Sequence, residues 1–352
     1  MSGDFEDART DPHAAIPAGT RIAPHGEKTG DELLADILAE PASDDLRMVY
    51  ADYLLERGDP RGELIALQLA RHRERGPATT RERELLAAHT ATWTQPLYNG
   101  LAHDSIRFAR GFLAGCRTIG SLALRDSVGH PLWATVEQLD SDEIGLVVNP
   151  CMRSVRTLRT RLDAALRLVE ARHEVRVEEL DLSRTPYAGI DDRPFWEGDW
   201  RVLLRVGALV RLRTLVLGIG FEEVGPFAPV LASPLGHQLT RLGLVTRGPY
   251  PLARWCAVVQ EHATLDAVSC HSYGSGSTVT LERERVVLAL DEHLGESILH
   301  TLQSFGGSTI RQLVISYPHD ADRAGLDAIV RRMASVFPEI VPQARYSDAR
   351  GG

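Results

Sequence analysis

From about residue 130 the apolar positions settle into one recurring word, apolar-x-x-apolar-x-apolar. Its clearest copies are Val177, Leu180, Leu182; Leu212, Leu215, Leu217; Leu239, Leu242, Leu244; and Ile310, Leu313, Ile315. Weaker copies start at Val136, Val155 and Leu265, and successive starts lie 19, 22, 35, 27, 26 and 45 residues apart. Most of these intervals fall within or near the ~20 to 29-residue period of one strand-plus-helix repeat family. The longest leaves room for another unit around Arg285 to Leu290. Parallel neighbours need crossovers of ~12 residues or more, and the spacing of these units supplies them. The expected architecture is therefore α/β: an irregular solenoid with a parallel sheet over residues 131–346, built from about seven or eight units.

Ahead of the repeats the apolar spacing is helical. Asp31 is positioned as an N-cap before Leu33, Leu34, Ile37 and Leu38, and the pattern stops before Pro41. Ser43 with Asp44 and Asp45 suits a second helix start. Leu46, Val49, Tyr50, Tyr53 and Leu54 then form one stripe, and Gly58 follows as a C-cap. Asp59 and Pro60 restart the chain toward Arg71 through Leu64, Ile65, Leu67 and Gln68. A fourth helix is expected near Arg81 to His89. These elements predict a small all-helical module over 30–95, joined to the repeats by a connecting or capping segment over 96–130. Residues 1–29, rich in Gly, Pro, Asp and Thr without periodicity, read as a disordered tail.

The stretch Asp31 to Gln68, above all Val49 through Glu63, resembles the bacterial repeat-companion domain, and Arg110-Gly111-Phe112-Leu113 looks like that family's usual continuation. The resemblance implies a helical module placed before leucine-rich-repeat-like repeats. It implies no activity, and its setting would be a bacterial multi-protein signalling or defence system. The repeats resemble leucine-rich repeats in part only. Where that family places an Asn, or a Cys, after the third apolar position, this chain has Thr185, Gly220, Arg247 and Pro318 in its four best copies.

Composition narrows the function classes. Among 352 residues, 43% are hydrophobic and 25% charged, as in ordinary globular proteins. A net charge of −9 argues against general nucleic-acid binding, which depends on a surplus of cations. No apolar run approaches the ~18 residues that span a bilayer, and the acidic N-terminus is unlike a signal peptide, so the cytoplasm is the expected compartment. Cys116, Cys151, Cys256 and Cys270 form no C-x-x-C pair and are expected as buried thiols.

The predicted site is the sheet surface that stacking leaves uncovered. Residues between the apolar positions are expected to face away from the core. They are Glu178, Glu179 and Asp181, then Arg213 and Thr214, Thr240 and Arg241, and Arg311 and Gln312, with Gln138, Asp140, Arg156 and Arg159 in the weaker copies. An acidic strand beside arginine-bearing strands would select a protein partner by charge. The insertion Tyr187–Trp200 adds Trp196 as an aromatic anchor, although such aromatics more often pack behind the repeats. No cofactor or metal is expected.

The competing class is a hydrolase near Cys270 and His271. Adjacent strand residues point to opposite faces, so this dipeptide makes no nucleophile–base pair alone. Ser272 through Ser277 reads as a flexible turn, since no complete phosphate-binding glycine motif is present. His293 and His300, seven apart, lack a third ligand. The acidic set Asp52, Glu56, Asp59 and Glu63 is accounted for by capping and by pairing with Arg47, Arg57 and Arg61. The interleaved charges of Arg71 to Arg83 read as a solvated helix face.

Overall fold

The computed structural model describes residues 28–74, 76–170, 175–184, 209–217, 228–246, 248–272, 276–290, 295–318 and 323–345. The tail expected over 1–29 lies outside them up to residue 27, as do the insertion with Trp196 and His293.

Among the described residues five helices come first: α1 (Gly30–Ala39), α2 (Asp44–Leu55), α3 (Pro60–Glu74), α4 (Thr80–Trp93) and the single turn α5 (Gln95–Tyr98). The cap of α1 is Thr29, not Asp31. Thr29 accepts from Glu32 N while Glu32 reaches back to the Thr29 amide, a reciprocal arrangement that satisfies two free donors. Ser43 caps α2 as expected, and Gly58 ends that turn at φ +70°. The α2 stripe needs correction. Tyr50 and Leu54 are buried, but Val49 is 53% exposed and Arg47, between the apolar positions, is 1% exposed. Helix α4 extends past the expected His89 to Trp93, with Thr79 as its cap.

The acidic residues of this module follow the expectation in part: Glu56 lies 3.8 Å from Arg57 as an ion pair and Asp59 acts as a cap, whereas Glu63 and Arg47 find other partners. Glu63 binds Arg81 at 2.8 Å, Asp59 caps the amide of Arg61, and Arg47 donates to the Arg110 carbonyl instead of a carboxylate. Glu82, read as part of a solvated face, is buried against Gln68 and Arg71.

One twelve-stranded sheet follows, its spatial order identical to chain order. The strands are β1 (Arg107–Ala109), β2 (Phe112–Arg117), β3 (Gln138–Asp140), β4 (Thr157–Arg159), β5 (Glu179–Asp181), β6 (Thr214–Leu217), β7 (Arg241–Thr246), β8 (Ala267–Ser272), β9 (Thr278–Glu282), β10 (Arg285–Ala289), β11 (Gln312–Pro318) and β12 (Glu339–Arg345). All seven predicted units hold strands, and the extra one near Arg285 is β10. The sheet starts earlier than the repeat pattern, within the segment read as a connector.

The expected all-parallel sheet is corrected to a mostly parallel mixed one. β1 is antiparallel to β2, and β9 is antiparallel to both neighbours. The reason is connection length: two residues separate β1 from β2 and β9 from β10, too few for a crossover. Arg110 and Gly111, at φ +53° and +82°, form the first of these turns.

Between the strands lie α6 (Leu122–Asp126), α7 (Ile144–Val147), α8 (Leu162–Ala165), α9 (Ala228–Leu231), α10 (Cys256–Glu261), α11 (Glu296–Gln303) and α12 (Arg323–Met333). Their apolar side chains join the sheet in one core. Its spine is a register ladder running Cys116, Leu139, Leu158, Leu180, Leu215, Leu242, Val268, Leu281, Val286, Leu313 and Ile340. All but Ile340 are buried, and each buried rung contributes roughly 1.5–3 kcal/mol for a Val or Leu side chain. Successive joints repeat one bond pattern. The Glu137 carbonyl accepts the amides of Arg156 and Thr157, and the carbonyls of Arg156, Glu178, Arg213 and Thr240 each accept two successive amides from the next strand.

The third apolar position of the first units carries hydroxyls instead of aliphatics. Thr118 donates to Ser141 at 2.8 Å, and Thr160 donates to Asp142 at 3.0 Å. No helix among the described residues is long and apolar enough to cross a membrane.

Candidate functional site

The core ladder fixes what faces the other way, because side chains alternate across a strand. One outward row runs Gln138, Thr157, Glu179, Thr214, Arg241 and Ala267; Arg285, Gln312 and Glu339 continue it on the last strands. Two residues further along each strand lies a second row: Arg117, Asp140, Arg159, Asp181, Val216, Gly243, Ser269, Thr280, Val287, Val314 and Val341. The structure therefore brings Glu179, Asp181, Thr214, Arg241 and Gln312 onto one surface. Glu178, Arg213 and Arg311 sit one residue before their strands, at its border.

The charge complementarity expected for a partner is largely consumed within the chain. Arg156 pairs with Glu178 at 2.7 Å and Arg159 with Asp181 at 3.3 Å. Arg184 pairs with Asp140, Arg117 with Asp104, and Arg285 with Glu282. Arg213 donates to the Gln238 carbonyl. Such exposed pairs contribute little stability, typically under about 1 kcal/mol each, but they leave fewer free charges to recognise anything else. Sequence reasoning missed this because the partners come from other strands and turns, as when Arg184 reaches back to Asp140.

The second row changes character along the sheet: alternating Arg and Asp over the first strands, then Val, Gly, Ser and Thr. Gly243 marks the change. A Cβ there would lie 2.9 Å from Val216 Cγ2 and 3.2 Å from His271 Nε2, so glycine lets these two side chains close over the strand. A recess of about 300 Å³ lies over the charged half between Arg107, Asp140, Arg159 and Asp181. Another, of about 550 Å³, lies around Arg241, Asp266, Arg285 and Gln312.

Burial raises the Glu179 carboxyl above its ordinary range, with Asp181 adding to the effect and Arg241 opposing it. Burial holds His271 below the usual imidazole range, against an opposite pull from Asp181. His271 is hydrogen-bonded to Thr278 Oγ1 at 3.0 Å and to Ser269 Oγ at 3.4 Å. Cys270 points the other way, into the core, where burial pushes its thiol up to about 12. Cys116 is also buried, whereas Cys151 and Cys256 are only half-buried. Among the described residues no cluster of His, Cys, Asp and Glu is arranged to hold a metal ion.

No protein-family model, curated protein or solved structure matches this chain.

Proposed function

We propose that the chain is a non-catalytic recognition or adaptor subunit, an irregular leucine-rich-repeat-like solenoid that binds a partner protein through the outward sheet face. The observation that carries the reading is the split between the two sides of the sheet: an apolar ladder buried against helices on one, and polar rows with exposed Arg241 and half-buried Glu179 and Thr214 on the other. Chain-order strands and the repeated double-amide bond support a stacked architecture, which exposes a long face as a consequence of how its core is made. The two segments behind the repeat-companion resemblance also pack together, with Arg47 and Arg61 on the Phe112 ring at 4.7 and 4.5 Å. By that resemblance the setting is a cytoplasmic bacterial signalling or defence assembly, and four free thiols suit a reducing compartment.

A thiol hydrolase is the weaker reading. A buried, protonated Cys270 is a poor nucleophile, and its neighbour His271 lies on the opposite side of the strand.

The test is affinity capture from native lysate of the wild type beside a variant carrying Arg213→Glu, Arg241→Glu and Arg311→Glu. The expected outcome is a specific protein recovered by the wild type and lost from the variant. Equal recovery by both would reject the sheet face as the binding surface.

A further inference from the structure

Within the two outward rows, most charged side chains of the described residues are already engaged. Arg107 donates to Gln138, Arg117 pairs with Asp104, Asp140 with Arg184, Arg159 with Asp181 and Arg285 with Glu282, and Gln312 donates to Glu339. Glu179 and Arg241 form no ion pair and no side-chain hydrogen bond among the described residues. They flank Thr214 in the same row, with Ala267 beyond Arg241, and Arg241 is exposed while Glu179 is half-buried.

We propose that Glu179 and Arg241 form the specificity-determining pair of this face, and that they receive an extended segment of the partner protein bearing one basic and one acidic side chain three residues apart. This inference rests on the reading that the sheet face binds protein.

The spacing follows from geometry. Neighbouring strands are about 4.8 Å apart, so two strand steps separate the pair by about 10 Å. A segment in the extended polyproline II form, rising about 3.1 Å per residue with about three residues per turn, covers that in three residues and keeps both side chains on one face. Charge favours a peptide over a nucleic acid: Glu179 and its neighbour Asp181 would repel a phosphate backbone. Engaging a charge that is already paired requires breaking an existing contact, whereas these two gain partners without that loss. A carboxylate can meet Arg241 through two parallel hydrogen bonds, and a Lys or Arg can approach Glu179 from solvent.

The experiment is selection from a random twelve-residue peptide library on the immobilised intact chain, followed by affinity measurement of the enriched peptides at low salt. Wild type should enrich peptides with a basic and an acidic residue three apart. Their affinity should fall at least tenfold on Glu179→Gln/Arg241→Gln, and also when the two charges are moved to adjacent positions. Far-UV circular dichroism checks that the double variant is folded. If enriched peptides bind that variant as tightly as wild type but lose affinity on Arg213→Glu/Arg311→Glu, the pair is rejected while the face reading stands. If no peptide enriches, or a single-stranded oligonucleotide binds in its place, both are overturned.

Discussion

Gln68 accepts the amide proton of Gly111 at 2.8 Å, tying helix α3 to the turn that opens the sheet. The same side chain donates to Glu82 at 2.8 Å, and Arg61 donates to the Gly111 carbonyl. This turn fastens the helical module to the first strands, with Arg110 reaching both Asp44 and Glu137.

Gly111→Ala should disrupt that junction. The position has φ +82°, and an added Cβ would fall 2.1 Å from Ile65 Cγ1, so strain and overpacking act together. The expected cost is about 2 kcal/mol or more, read as a lower melting temperature in calorimetry. An unchanged transition would mean that Ile65 and the turn separate freely.

Glu179→Gln should stabilise the free protein at neutral pH. The folded state holds this carboxyl above its ordinary range, so its favourable contribution exists below the unfolded value and is lost as pH rises through the folded one. At pH 7 the charged form is therefore a liability, as expected of a side chain held for recognition. The variant's melting temperature should exceed wild type at pH 7, with the gain vanishing below about pH 4. A lower melting temperature at pH 7 would show that Glu179 is stabilised by contacts of its own.

Cys116 and Cys270 should resist iodoacetamide at pH 8 in the native protein, while the half-buried Cys151 and Cys256 react first. Burial pushes both core thiols up to about 12 from about 9. The unfolded chain ionises first, so each thiol lowers stability as pH climbs past about 9. Alkaline melting curves of Cys116→Ala and Cys270→Ala should show a shallower decline than wild type, and mass spectrometry locates the labels.

Pro342→Val should promote association. Glu339 N donates to Arg311 O at 3.2 Å, so odd-numbered amides of the edge strand β12 face β11 and even-numbered ones face outward. Pro342 deletes the central outward donor, which guards an edge otherwise open to strand addition. Light scattering should show concentration-dependent dimers of the variant where wild type stays smaller.

The repeat word in the sequence located seven strands because Leu180, Leu215 and Leu242 and their counterparts recur in one register. β9 was illegible by that rule: Thr278–Glu282 alternates strictly, with Val279 and Leu281 buried, as suits an antiparallel insert. β12 was missed because an edge strand buries little, with Ile340 only half-buried. Alternation alone also picked out the outward positions Glu179, Asp181, Thr214, Arg241 and Gln312. It did not separate engaged charges from free ones. Asp181 and Glu179 look alike in sequence, yet Arg159, 22 residues before Asp181, pairs with one and not the other. Trp196 lies outside the described residues.

Hydrogen–deuterium exchange of the chain with and without its captured partner tests the protein-binding face most directly. Slower exchange in the peptides covering residues 178–184, 211–217 and 239–246, with helices α8 and α11 unchanged, is the expected result. Protection confined to those helices or to the N-terminal module, with β5 to β7 exchanging as in the free chain, would contradict it.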